Sequence, residues 1–530
     1  MFDLVSQHCT PPASAGQLLA QSESVLQDGA HFFSAGLLAG AVLGGGSFVS
    51  GGAGSVGATA SSGGTSALSA HAAAASAIIT VTANADFDKV AYFTGRTLRQ
   101  SPDEIRPDRL TTTFQMTAPE SCDASTPENR GEDATYMGSN TLAETRKKSP
   151  RPLIWMVVVL IGGAILFSPA VLTPLFLDDH LQAAMVEGTF PAPRSPLNLY
   201  DFVNDGDRVA LVERGLLPWW SHPQLKIRFF RPLSSALLWL DHRVFSHDPL
   251  PMHLHSLVWW AAAVLALRAL YKQLLSPRIT LMATAIFALA PCHALPLAWL
   301  ANRETLVSLT FGALALAAQA RWRDDRRPRD GLRAAALFAV ALLGGGEYAL
   351  CFGGYVLAMD VVRRESVPRR VAGWMPFLVP AVAYLAVRGA LGYGTAGSGF
   401  YTDPLRDTGA FLSGAPWRGV ALLATGWLTL DAEAWRVGIS RWLLAGLVLA
   451  TAAGLVVPIR RALASLPPPS RAAVTWFLLG SVLALIPTLA VVPARRLLGV
   501  SMLGIAVVVA VLIDRAWFPE PGEPTVARGR

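Results

Sequence analysis

The sequence predicts an all-α fold, a polytopic transmembrane helix bundle of about ten spans with a large outer loop after the first span and a low-complexity region before it. Three observations predict it. Hydrophobic residues make up 52% of the 530 positions and charged residues only 15%, with a mean hydropathy of +0.40, too apolar and too poor in charge for a soluble domain. From residue 152 onward, apolar stretches of about 18 to 22 residues recur, the length a helix needs to cross a bilayer. Between them the basic residues gather in short connections, as they do in cytoplasmic loops. The net charge of +7 and pI near 9.4 belong to those connections, so no nucleic-acid role is assigned. The four cysteines, Cys9, Cys122, Cys292 and Cys351, are scattered without the spacing of a zinc site or a disulfide framework.

Residues 1–145 are rich in Ala, Gly, Ser and Thr and offer little bulk for a core, so disorder is expected there. Within them the apolar segment 31–49 resembles a span, but its glycines weaken a helix and its flanks lack a basic start. No ordinary signal peptide opens the chain. The first targeting element expected is the span at 152–174, preceded by Arg146, Lys147, Lys148 and Arg151, which place its start in the cytoplasm. The transmembrane domain is read as 146–514, with its outer loop at 175–250.

Inward spans near 252–271, 304–320 and 346–361 then alternate with outward ones near 279–297, 333–345 and 372–391. Lys272 and Arg278, the run RWRDDRRPRDGLR at 321–333, and RRESVPRR at 363–370 all fall on the cytoplasmic side. The 333–345 span is short, and Gly344, Gly345 and Gly346 after it mark a tight outer turn or a broken helix. The stretch 415–430 must not cross if PIRRALASLPPPSR, 458–471, is also cytoplasmic, so it reads as an outer-surface or re-entrant helix. Spans near 440–457, 472–491 and 497–513 complete the set, and a short cytoplasmic tail follows from Asp514, its domain boundary being 515–530.

This topology collects the unusual polar residues on the non-cytoplasmic face. Asp178, Asp179 and His180 follow span one in LFLDDH; Arg228 and Arg231 lie in IRFFRPL; His253 and His255 open span two. His293 ends span three, Arg303 and Glu304 open span four, Glu347 sits in GGGEYAL, Arg388 ends the 372–391 span, and Arg495 and Arg496 open the last one. Carboxylates beside arginines and histidines can bind an anionic head group and also take up a proton. Each has a plainer explanation. The aspartates can cap a helix, the arginines can snorkel, and His253 and His255, two residues apart, point to different sides of a helix and so do not share a metal. Glu347, between an apolar run and Tyr348, is the residue for which pairing or function is favoured, since an unpaired carboxylate there is costly. The segment 232–245, with Leu237, Leu238, Trp239 and Val244 against Asp241, His242 and Arg243, reads as an amphipathic helix lying along the outer membrane surface.

In order and spacing, LFLDDH, FFRPLSSALLWLDHRVFSHDPLPMHLHSLVWW, LPLAWLANRETLVSLTFGALAL, GGGEYAL and VVPARRLLGVSMLG resemble the GT-C superfamily of membrane glycosyltransferases. The likeness is to bacterial relatives of the transmembrane-and-tetratricopeptide O-mannosyltransferases, over 152–513, and more distantly to the protein O-mannosyltransferase and aminoarabinose transferase groups. Gly346 stands where that pattern has a lysine, and no tetratricopeptide repeats follow. The resemblance implies an inverting enzyme that transfers a mannose-like sugar from a polyprenyl-phosphate donor to a protein, lipid or glycan hydroxyl. It implies an aspartate of the pair as general base, Asp178 by preference. Arginines among Arg228, Arg231, Arg303, Arg388, Arg495 and Arg496 would hold the phosphate, with His180, His253, His255, His293 and Glu347 around them. It also allows, without requiring it, a divalent cation at Asp179. High Ala, Arg and Leu with little Lys fits a GC-rich bacterial genome, hence a plasma-membrane location with the active face periplasmic. The competing expectations are a polysaccharide polymerase or ligase, a transporter, and a non-catalytic membrane scaffold.

Overall fold

The computed structural model describes residues 152–404, 406–430 and 440–518. The expectations for 1–145, for the apolar segment 31–49 and for most of the C-terminal tail lie outside the described residues.

The described chain is helical throughout its apolar part. α1 (Pro152–Leu166) exposes Leu153, Ile154, Val158 and Ile165, and a short α2 (Ser168–Val171) follows it. The 175–250 segment is folded rather than open, carrying α3 (Asp178–Glu187), β1 (Asp201–Val203), α4 (Arg208–Glu213), β2 (Lys226–Arg228) and α5 (Pro232–Phe245). It has its own core of Leu199, Tyr200, Leu211, Leu225, Phe229 and Leu238, so apolar burial holds it together independently of the larger bundle core. After it come α6 (Pro249–Leu274), α7 (Pro277–Ala288), α8 (Ala294–Ala298), α9 (Glu304–Asp325), α10 (Pro328–Gly345), α11 (Gly353–Arg363) and α12 (Val367–Ala390). β3 (Gly394–Ala396), α13 (Thr408–Leu428), α14 (Arg441–Ala464), α15 (Pro468–Leu483) and α16 (Gly499–Trp517) complete the order.

Among the described residues six helical stretches are long and apolar enough to cross a membrane, or seven if the bent pair α7 and α8 is one span. The expectation of ten differs for identifiable reasons. α1 has only 15 residues. The expected span at 279–297 is broken, α7 and α8 meeting at 44° across the turn Pro291–His293. α9 is buried on nearly every side and carries polar groups at both ends. α10 and α11 are joined by a 3-10 turn, Gly346–Phe352, into one apolar stretch of 36 residues.

That stretch nevertheless leaves and returns to the same end of the bundle. Asp324, just before α10, pairs with Arg363 at 2.6 Å, and Arg326 pairs with Glu365 at 2.7 Å. Arg323, fully buried, bonds Asp360. At the opposite end Glu347 pairs with Arg388 of α12. The reversal falls at Gly346, whose φ of +63° and ψ of −135° suit only glycine, and where a Cβ would lie 3.2 Å from Arg231 Nε and 3.0 Å from the Tyr384 hydroxyl. The expected glycine turn thus stands. α13, which covers 415–428 of the 415–430 stretch, is not among the six candidates.

The expectation of a helical chain stands, and three short strands accompany the helices. β1, β2 and β3 form a three-stranded antiparallel sheet, order β1-β2-β3, with Ile227 opposite Thr395. The pairing partners lie far apart in the chain, so nothing local announces them. α5 turns Ser234, Ser235, Leu238, Asp241 and His242 inward and leaves Leu240 (48%), Arg243 and Val244 (60%) exposed, so Asp241 and His242 of the expected polar face are buried in the protein.

Candidate functional site

α3 begins with the aspartate pair, and its two carboxylates have opposite surroundings. Asp179 is buried, and both its oxygens accept backbone N–H groups: Oδ1 from Ala301 at 2.7 Å, Oδ2 from Phe176 at 3.0 Å and from Leu300 at 3.2 Å. It ties the start of α3 to the turn Leu300–Asn302. Asp178 is half-buried and has no hydrogen-bond partner among the described residues, while Arg496 and Arg231 stand within electrostatic reach of it. Leu177, immediately before it, has φ +46° and ψ −111°, a strained conformation for a residue with a side chain. Burial pushes the Asp178 carboxyl up to about 6, with Arg496 and Arg231 opposing the rise. Burial also pushes Asp179 up to about 7, against its three backbone donors.

Around Asp178 the polar groups come from distant parts of the chain. Arg231, at the N-terminus of α5, pairs with Glu304 at 3.2 Å and lies 4.6 Å over the Phe229 ring and 5.2 Å over that of Tyr200. Its Nε is buried without a partner, as is Oε2 of Glu304. Arg496, from the turn Arg495–Leu498, lies 4.9 Å over the Trp299 ring. Tyr401 feels the charges of Arg496, Arg231 and Asp178. The arrangement sets a carboxylate able to take a proton against two guanidinium groups able to receive a phosphate.

The other expected site residues have different occupations. Arg303 is buried, with Nε donating to Ser256 at 2.8 Å, Nη2 to the Met252 carbonyl at 2.7 Å, and Nη1 to Asp241. The Trp259 indole donates to Nε2 of His255 at 3.0 Å, so His255 carries its proton on Nδ1 and donates to Asp241 at 2.7 Å. Burial would raise Asp241, but His255 and Arg303 hold its carboxyl below the usual range. Arg228 donates to Asp201 at 2.9 Å and to the Gly392 carbonyl at 3.2 Å, holding the sheet. His253 is buried with Nδ1 2.8 Å from the Leu297 carbonyl, and His293 is packed against Phe167 and Phe287 with Nε2 2.9 Å from the Phe287 carbonyl. Arg388 is taken up by Glu347. His180 is exposed beside the pair, and Arg495 lies near Cys292.

Glu304, expected on this face beside Arg303 but given no role there, is the partner of Arg231, and Trp299, which the sequence does not single out, supports Arg496. The signal available was the ordinary one for a carboxylate opening an apolar helix. A divalent cation does not fit this donor set: both Asp179 oxygens serve backbone N–H groups and Asp178 faces two cations. Among the described residues no three His, Cys, Asp or Glu are grouped as a metal ion would require. No protein-family model matches the chain, and no curated protein matches it either.

Proposed function

We propose that this chain is an integral-membrane glycosyltransferase of the inverting, lipid-phosphate-sugar type, acting at the non-cytoplasmic face of a plasma membrane across about ten spans. The observation that carries the reading is Asp178, a half-buried carboxylate without a hydrogen-bond partner among the described residues, within electrostatic reach of Arg231 and Arg496. In the reaction Asp178 accepts the proton of an acceptor hydroxyl as its oxygen bonds the anomeric carbon. The lipid phosphate leaves from the opposite side, which inverts that carbon. A carboxyl raised to about 6 is ionised at neutral pH and is a stronger base than an ordinary aspartate. Arg231 and Arg496 meet the charge that grows on the departing phosphate. Arg228 and Arg303 have no part in this step, because their donors hold the fold.

The broken pair α7 and α8 is what a transporter reading would draw on. The ionisable groups at its break are Cys292 and His293, both buried, and His293 is packed between aromatic rings, so the reading gains little from it. The test is sugar release from radiolabelled polyprenyl-phosphate mannose and related donors by purified protein in lipid. The parent is expected to turn over and Asp178→Asn to lose roughly 100-fold or more with normal expression. Full activity in Asp178→Asn would remove the assigned base, and no turnover or binding across the donor panel would remove the transferase reading.

A further inference from the structure

The cation opposite Asp178 rests on an aromatic face, and that face is itself held from behind. Arg496 lies 4.9 Å over the Trp299 ring. The edge of Phe176 meets the same indole at 6.0 Å and 88°. Asp179 then takes the backbone N–H of Phe176 and, through the same oxygen, that of Leu300, the residue after Trp299. Its other oxygen takes Ala301, and the Tyr200 hydroxyl donates to the Ala301 carbonyl at 2.9 Å. One buried carboxylate therefore fixes both members of an aromatic pair, and the pair supports the guanidinium.

We infer that Trp299 is a positioning residue for Arg496, set in place by Asp179 and Phe176, so that the two adjacent aspartates serve opposite sides of one site: Asp178 directly, Asp179 through backbone, indole and guanidinium. This rests on the reading of Asp178 and Arg496 as base and phosphate ligand. The physical reason is that a guanidinium on a partly desolvated indole is held by the ring's negative face, while a free arginine side chain samples many rotamers. Asp179 suits this use because three backbone bonds, shared between its two oxygens, leave it little freedom.

The charged and titratable groups facing Asp178 are Arg231, Arg496, Glu304, Asp179 and Tyr401. Arg496 opposes the rise of the Asp178 carboxyl. Displacing it lets that carboxyl rise further, and the activity that needs the ionised base is then lost at a higher pH. Trp299→Leu removes the ring face and Trp299→Phe keeps one, whereas Arg496→Gln removes the cation itself. The acid limb of kcat/KM is expected to move to higher pH in Trp299→Leu and in Arg496→Gln and to stay near the parent position in Trp299→Phe. Donor KM is expected to rise roughly tenfold in Trp299→Leu with acceptor KM unchanged. An acid limb unmoved in Arg496→Gln would overturn the inference even if Trp299→Leu failed to fold, because Trp299 would then have no electrostatic partner to place. An unmoved limb in a folded Trp299→Leu would overturn it equally. The same titration read without turnover, from the carboxyl infrared band absent in Asp178→Asn, decides the matter if no donor is accepted, so failure of the transferase reading and failure of this inference remain separate results.

Discussion

Asp178 and Asp241 are both carboxylates beside arginines, and what separates them is how many hydrogen bonds each receives. Asp241 takes Arg303 and His255 and is a fixed joint between α5, α6 and α9. Asp178 has only charges near it. The two aspartates of the pair should therefore respond oppositely to neutralisation. Because burial raises both folded carboxyls from 3.8, to about 6 and about 7, the folded chain binds protons more tightly than the unfolded one, and these groups lower stability as pH rises through that window. Asp178→Asn is expected to raise the thermal midpoint at pH 8 and to leave it unchanged at pH 4. Asp179→Asn turns an amide N–H toward backbone donors and is expected to cost about 1–3 kcal/mol at neutral pH, measured by the same thermal scans. Arg303→Leu strands Asp241 in the interior and should cost about 3–5 kcal/mol, with Arg496→Leu near neutral by comparison; equal losses in thermal midpoint would refute the division between a structural and a functional arginine.

At the scale of elements, the deciding feature is that polar residues at helix ends fix which ends meet. Arg323, Asp324 and Arg326 close α9 onto Asp360, Arg363 and Glu365, so α10 and α11 are an out-and-back pair despite forming one apolar stretch. A chain with Asp324→Cys and Arg363→Cys is expected to be joined by a short bifunctional thiol reagent in membranes, since the two side chains meet at one end of the pair; absence of the crosslink in a folded protein would favour one long span. Asp241 and His242, the polar side of α5 in the sequence, turn inward together with Leu238, while Arg243 and Val244 stay exposed. Charged side chains ordinarily seek water, but a guanidinium from α9 and an imidazole from α6 make the interior the better place for Asp241. The outward stripe of Leu240 and Val244 then suits lipid contact.

For the whole molecule, basic connections gather at one end and the candidate site at the other. Arg278 bonds Asp514 at the basic end, and Glu304, Glu347 and Arg388 stand together with Arg231 at the site end. Single cysteines at Arg333 and Arg364 should label from the cytoplasm and one at Asp205 from the opposite side, in intact cells against opened ones. Labelling of all three from one side would dismantle the proposed sidedness.

The sequence by itself determined the apolar helical class, the positions of most membrane-length helices, the glycine reversal at Gly346 and the short list of polar residues from which a site could be built. Each follows from local rules: run length sets a span, charge placement sets its flanks, and a positive φ needs glycine. Only the tertiary structure decided which of those polar residues are available. Arg303 and Arg496 look alike in the chain, each at the start of an apolar helix, but Asp241, Ser256 and Met252 surround the first and a single indole supports the second. The three-stranded sheet, the inward turn of α5 and the separate fates of Asp178 and Asp179 have the same origin, because hydrogen-bond partners distant in sequence are chosen by packing and local patterning carries no record of them.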